Sequence, residues 1–196
     1  MLNEFWFNVQ YGINHVLDIK AYDHVLFLIV LTVPYLFNDW KRVLLLVTTF
    51  TVGHTLSLVL AAYGVVQVNA NLVEFLIPVT ILFVALYNVF TAGKKSKNEK
   101  VGLLFFSTLF FGLVHGLGFA REFLMFAGRT ENKLVLLLEF ALGIEIAQIS
   151  IVFIVLFLGF IGQTIFRFSK RDWVMVISAV VVGLVIPMIL ESDLIS

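Results

Sequence analysis

Long runs of apolar residues, separated by short polar segments, make up most of this chain. Because a helix that spans a bilayer needs about 20 mostly apolar residues, the pattern predicts six transmembrane helices. Their approximate bounds are 22–37, 43–62, 72–90, 101–119, 133–161 and 173–190. We therefore predict an all-α fold class, a polytopic membrane protein in which residues 1–196 form a single transmembrane domain.

A shorter apolar pattern precedes the first predicted span. Side chains recur there at helical spacing, at Phe5, Trp6, Val9, Ile13 and Val16. An amphipathic helix of this kind lies on a membrane surface or dips into it. We predict an N-terminal amphipathic segment of that type.

Basic residues in the connecting segments predict how the helices are oriented, because cytoplasmic loops are enriched in Lys and Arg. On the side opposite the N-terminus there are nine: Lys41, Arg42, Lys94, Lys95, Lys97, Lys100, Arg167, Lys170 and Arg171. On the N-terminal side there are four: Lys20, Arg121, Arg129 and Lys133. Both termini are therefore predicted to lie outside the cytoplasm, in a protein of the bacterial inner membrane.

Composition supports the membrane assignment and excludes several other classes. Hydrophobic residues make up 61% of the chain and charged residues 13%, with a mean hydropathy of +1.04, unlike soluble or disordered proteins. The formal net charge is zero, which argues against nucleic acid as a partner. The lipid bilayer is the predicted partner, and a homo-oligomer is compatible with the sequence. Cysteine is absent, so a metal site would use imidazole and oxygen ligands.

Ionisable residues at membrane depth converge on the predicted outer half of the bundle. The candidate metal ligands are His24, His54, His115, Asp23 and Glu145. Each such group costs about 2.5–3.5 kcal/mol inside a bilayer, so their common depth indicates a shared role. Imidazole with carboxylate suits a divalent transition metal such as nickel or zinc.

Four further residues are secondary candidates. Thr51 and Ser57 lie three residues on either side of His54, which puts hydroxyls on the histidine face. Gln148 lies one turn deeper than Glu145, and His15 lies in the N-terminal segment, where a surface role is favoured over ligation. We therefore expect substitution of His15 to matter less than that of the other histidines.

Three functions remain open on these residues. The first is transport or supply of a divalent metal. The second is an intramembrane zinc-dependent hydrolase in which Asp23 or Glu145 activates a metal-bound water. The third is a haem protein with His54 and His115 as axial ligands. The predicted inner half offers only neutral polar groups, which fits a catalyst, a sensor or a loading site as well as a permeation path, so whether the protein is an enzyme stays undecided.

Four stretches resemble the HupE/UreJ family of membrane proteins. They are GINHVLDIKAYDHVLFLIVL from Gly12, FTVGHTLSL from Phe50, FFGLVHGLGFA from Phe110 and LLEFALGIEIAQI from Leu137. Members of this family are described as hydrogenase or urease accessory proteins and nickel permeases. The resemblance implies that nickel transport or supply ranks first. It also implies metal-binding roles for His15, Asp23, His24, His54, His115, Glu145 and Gln148.

Overall fold

The structure is a computed structural model that describes residues 2–67, 69–93, 101–128 and 132–195. These residues form seven α helices and one short 3-10 turn, Phe37–Asp39, without a β strand. The helices are α1 (Leu2–Val16), α2 (Asp23–Thr32), α3 (Trp40–Ala62), α4 (Ala70–Thr91), α5 (Val101–Ala127), α6 (Lys133–Thr164) and α7 (Lys170–Leu190). The predicted all-α class is confirmed for the part of the chain that is described.

Five helices, α3 to α7, are long and apolar enough to cross a membrane. They correspond to the last five predicted spans, although α5 continues to Ala127, beyond the predicted end at residue 119. The six-span count and the orientation stay predictions. Five of the basic residues used to predict the orientation lie outside the described residues: Lys94, Lys95, Lys97, Lys100 and Arg129.

The predicted first span, 22–37, contains only a short helix. α2 has ten residues and is about 15 Å long, half the thickness of a hydrocarbon core. Pro34 lacks the backbone N–H that would continue the helix by donating to the carbonyl of Val30. Asn88 supplies the missing donor, because its Nδ2 donates to that carbonyl at 2.7 Å.

The helices α1 and α2 together follow α5 in the antiparallel direction. Ring contacts mark this path: Phe7 with Phe126 (6.0 Å between centroids), His15 with Phe119 (3.8 Å), His24 with His115 (5.4 Å) and Phe27 with Phe111 (5.9 Å). The break between the two helices, residues 17–22, comes where the chain passes the histidines. α1 is therefore packed into the bundle, and its combined length with α2 is about 37 Å.

Glycines let the helices that carry the histidines pack closely. A Cβ atom added to Gly112 of α5 would collide with the carbonyl oxygen of Phe50 in α3, and one on Gly116 would collide with that of His54. Gly12 makes a similar contact between α1 and α6, so both helix pairs are held at backbone distance.

Candidate metal centre

Four histidines on four different helices meet at the break between α1 and α2. His15 lies in the last turn of α1, His24 is the second residue of α2, and His54 and His115 lie within α3 and α5. The ring centroid of His24 lies 4.6 Å from that of His15, 5.8 Å from that of His54 and 5.4 Å from that of His115. His24, His54 and His115 are at most 4% exposed, so the cluster lies inside the bundle.

Three of the histidines are close enough to share one cation. One ring nitrogen from each of His15, His24 and His54 lies within 4.8 Å of the other two. Nitrogens that bind one tetrahedral zinc at 2.0–2.1 Å lie about 3.4 Å apart. The three imidazoles are therefore near the separation of ligands around a single ion.

Five ring nitrogens of the cluster are buried and lack a hydrogen-bond partner among the residues that the structure describes. This holds for Nε2 of His15, His24 and His115 and for both nitrogens of His54. Buried polar atoms are nearly always hydrogen-bonded, and each unpaired one costs about 1–3 kcal/mol. Several unpaired imidazole nitrogens gathered in one place fit a transition-metal ion, which would use their lone pairs.

Two hydrogen bonds determine which nitrogen is free on two of the rings. Nδ1 of His24 lies 2.8 Å from Oδ1 of Asp23, and Nδ1 of His115 lies 2.9 Å from the carbonyl oxygen of Phe111. An ionised carboxylate and a carbonyl can only accept, so Nδ1 carries the proton in both histidines. The lone pair is thereby placed on Nε2, as in the carboxylate–histidine pairs that orient metal ligands elsewhere.

The three histidines that lie closest together in the structure are not the three that the sequence ranks first as metal ligands. His15, predicted to have a surface role, belongs to the group of three, whereas His115 contacts His24 from outside that group. The cause is the packing of α1, whose buried face includes Val9 and Gly12. A signal was present in the sequence, since His15 follows Gly12 by three residues and so lies on the same helical face.

Glu145 and Gln148 form a second polar group rather than part of the histidine cluster. The Thr51 hydroxyl contacts the Glu145 carboxylate and lies 2.9 Å from Oε1 of Gln148. The Thr48 hydroxyl donates to Oε1 of Glu145 at 2.5 Å. Because Thr51 precedes His54 by three residues, this group lies about one helical turn along α3 from the histidines.

Three other hydroxyl side chains of α3 and α5 bond within their own helices. Ser57, predicted to share the face of His54, donates to the His54 carbonyl at 2.8 Å. Thr49 and Thr108 likewise donate to carbonyls four residues earlier. Their hydroxyl protons are therefore taken up by the backbone.

Comparison with known proteins agrees with the resemblance seen in the sequence. A family model described as HupE / UreJ protein matches residues 1–191. No curated protein and no solved structure was found to match the chain.

Proposed function

We infer the function of this chain from two facts: it belongs to the HupE/UreJ family, and nitrogens of three inward-facing histidines lie within 4.8 Å of one another. We propose that it is an integral membrane protein that binds a divalent transition metal and transports or supplies it at the bacterial inner membrane. Nickel is the first candidate cargo, since the family is linked to nickel enzymes, and zinc is the second. The single observation that carries the proposal is the group of unpaired imidazole nitrogens.

In this proposal His15, His24 and His54 bind the ion, and Asp23 orients His24. His115 completes the imidazole wall from the side of α5. Glu145 would receive the ion next, because its carboxylate lies about one turn along α3 from His54. Gln148 lies beside this carboxylate, because its Oε1 accepts from the Thr51 hydroxyl that also contacts Glu145.

The interrupted path of α1 and α2 favours transport. We propose that the two helices together form the sixth membrane crossing, with a break at the metal site. Transporters bind substrates at such breaks, where the C-terminal end of a half-helix carries partial negative charge and attracts cations. His15 lies in the last turn of α1, which places this end of the helix next to the proposed ion.

The two alternative functions have less support. A zinc hydrolase needs a carboxylate that can act on a metal-bound water, but Asp23 contacts His24 and Glu145 accepts from Thr48. A haem protein needs a large slot, because cofactor pockets measure about 300–1,000 Å³. The cavity that reaches His15 measures about 150 Å³.

Nickel binding and uptake test this proposal. Purified protein dialysed against Ni²⁺ is expected to bind about one ion per chain, and vesicles containing it are expected to accumulate Ni²⁺. His54→Ala is expected to lower affinity more than about 100-fold, since even residues that only orient ligands contribute 10–100-fold. Gln10→Ala is the matched control, because Gln10 is exposed on α1.

Two results would contradict the proposal. If the His54→Ala protein bound nickel with wild-type affinity, the histidine cluster would not be the binding site. Bound zinc without metal uptake by the wild-type protein would contradict transport and support the hydrolase.

A further inference from the structure

A cavity beside the histidine cluster opens a route to it. The cavity measures about 150 Å³ and is lined by Tyr11, Asn14, His15, Asp18, Phe119 and Glu122. One water needs about 10–15 Å³ of such space, so several waters fit. His15 lines the cavity and also belongs to the group of three histidines. The cavity therefore ends on a proposed metal ligand.

The lining changes from exposed and polar to buried and aromatic. Asn14, Asp18 and Glu122 are exposed, whereas Phe119 is only 7% exposed. The two carboxylates thus lie at the exposed mouth of a path that leads inward to His15.

The chemistry of the mouth fits a hydrated divalent cation. Two carboxylates and an amide offer oxygen acceptors, and negative charge around a cleft raises the local concentration of cations and their association rate. Lys20 and Arg121 are near in sequence but do not line the cavity. A larger cavity of about 290 Å³, at the end of α6 near Gln163, is lined without carboxylate or imidazole.

We propose that this cavity is the access vestibule of the transported cation, in which Asp18 and Glu122 capture the hydrated ion and pass it to His15. The inference rests on the proposed function, because it requires the histidines to be the destination. Asp18 and Glu122 act on the rate of arrival. The histidines determine whether the ion is held.

The association rate of Ni²⁺ tests the vestibule. The full-length protein in lipid nanodiscs is mixed with Ni²⁺ at low ionic strength, and binding is followed by competition with a fluorescent chelator. The double variant Asp18→Asn/Glu122→Gln is expected to bind about tenfold more slowly, within the range of electrostatic steering. It is still expected to reach one ion per chain at saturation. Added salt should slow the wild type more than the variant.

A matched double variant controls for the loss of charge. Glu74→Gln/Asp193→Asn also removes two exposed carboxylates, which lie near the same predicted outer ends of helices but do not line the cavity. It is expected to keep the wild-type rate. An equal slowing in both double variants would overturn the vestibule in favour of a general surface effect.

A charge series at Asn14 gives a second test that does not depend on removing native carboxylates. Asn14→Asp is expected to speed binding and Asn14→Lys to slow it, because the residue is exposed at the mouth of the cavity. Rates that are unchanged across this series would overturn the vestibule. If His54→Ala still abolishes binding, the proposed function survives that result. Wild-type binding by His54→Ala would instead defeat the proposed function itself.

Discussion

At the scale of single residues, the histidines differ in what holds them. His24 and His115 are each oriented through Nδ1, by a carboxylate and a backbone carbonyl respectively. Within the described part of the chain, His54 has no hydrogen-bond partner at either nitrogen. Buried imidazole nitrogens without partners are costly, and a bound ion would pair one of the two at His54, because an imidazole binds a metal through one nitrogen.

The difference between His15 and His115 can be measured. His15→Ala removes a member of the group of three, so nickel affinity is expected to fall more than about 100-fold. His115→Ala removes a neighbouring ring, and a loss of about 10–100-fold is expected, as for groups that support ligands. Chelator competition with the purified variants gives both dissociation constants.

The reverse order would show that the ligand set suggested by the sequence is right. In that case His115→Ala would abolish binding while His15→Ala left it near wild type. The contacts of α1 would then serve packing only.

At the scale of elements, close helix contacts set the depth of each ligand. α3 and α5 approach through Gly53, which precedes His54, and through Gly112 and Gly116, which lie on either side of His115. Because backbone meets backbone at these contacts, the two helices have little freedom to shift relative to each other. The positions of the two imidazoles therefore depend on residues that have no side chain to contribute.

Gly112→Ala tests this dependence. The added methyl group would meet the Phe50 carbonyl, and overpacking of this kind costs about 1–3 kcal/mol. That cost outweighs the gain of about 1 kcal/mol in helix propensity. A lower Tm in detergent and weaker nickel binding are expected.

Gly183→Ala is the matched control in α7. Nothing lies within 4 Å of the atom that would be added there. Its Tm is expected to equal or exceed that of the wild type. A Gly112→Ala protein as stable as this control would show that the α3–α5 contact can relax.

At the scale of the whole molecule, the number of crossings depends on the pair α1–α2. If the pair crosses the membrane, the chain has six crossings and its two ends lie on the same side. If it does not, five crossings place the ends on opposite sides. The proposed crossing by α1 and α2 predicts six.

Cysteine labelling distinguishes these cases, because the chain has no cysteine of its own. Single cysteines are introduced at the exposed residues Asn3, Asn38 and Leu194. A membrane-impermeant maleimide is expected to label Asn3→Cys and Leu194→Cys in intact cells, and Asn38→Cys only after permeabilisation. Labelling of Asn3→Cys together with Asn38→Cys, on the side opposite Leu194→Cys, would contradict the six-span topology.

Sequence by itself determined the class of molecule and most of its helices. Long apolar runs are unfavourable when they are exposed to water, so they are expected in lipid. Because a backbone in lipid must form its hydrogen bonds within helices, α3 to α7 follow from the pattern. The polar residues were equally visible, since ionisable groups inside apolar helices are costly and stand out. The family followed from the motifs around His24, His54, His115 and Glu145.

Only the tertiary structure decided which of these residues meet. Hydrophobic periodicity describes each helix separately and does not say how α1 is placed against α5 and α6, so it could not bring His15 to His24. The same holds for Glu145, whose partners Thr48 and Thr51 lie nearly 100 positions away in the chain. Contacts of this kind depend on backbone approach between helices, which glycines permit but which only the folded bundle specifies.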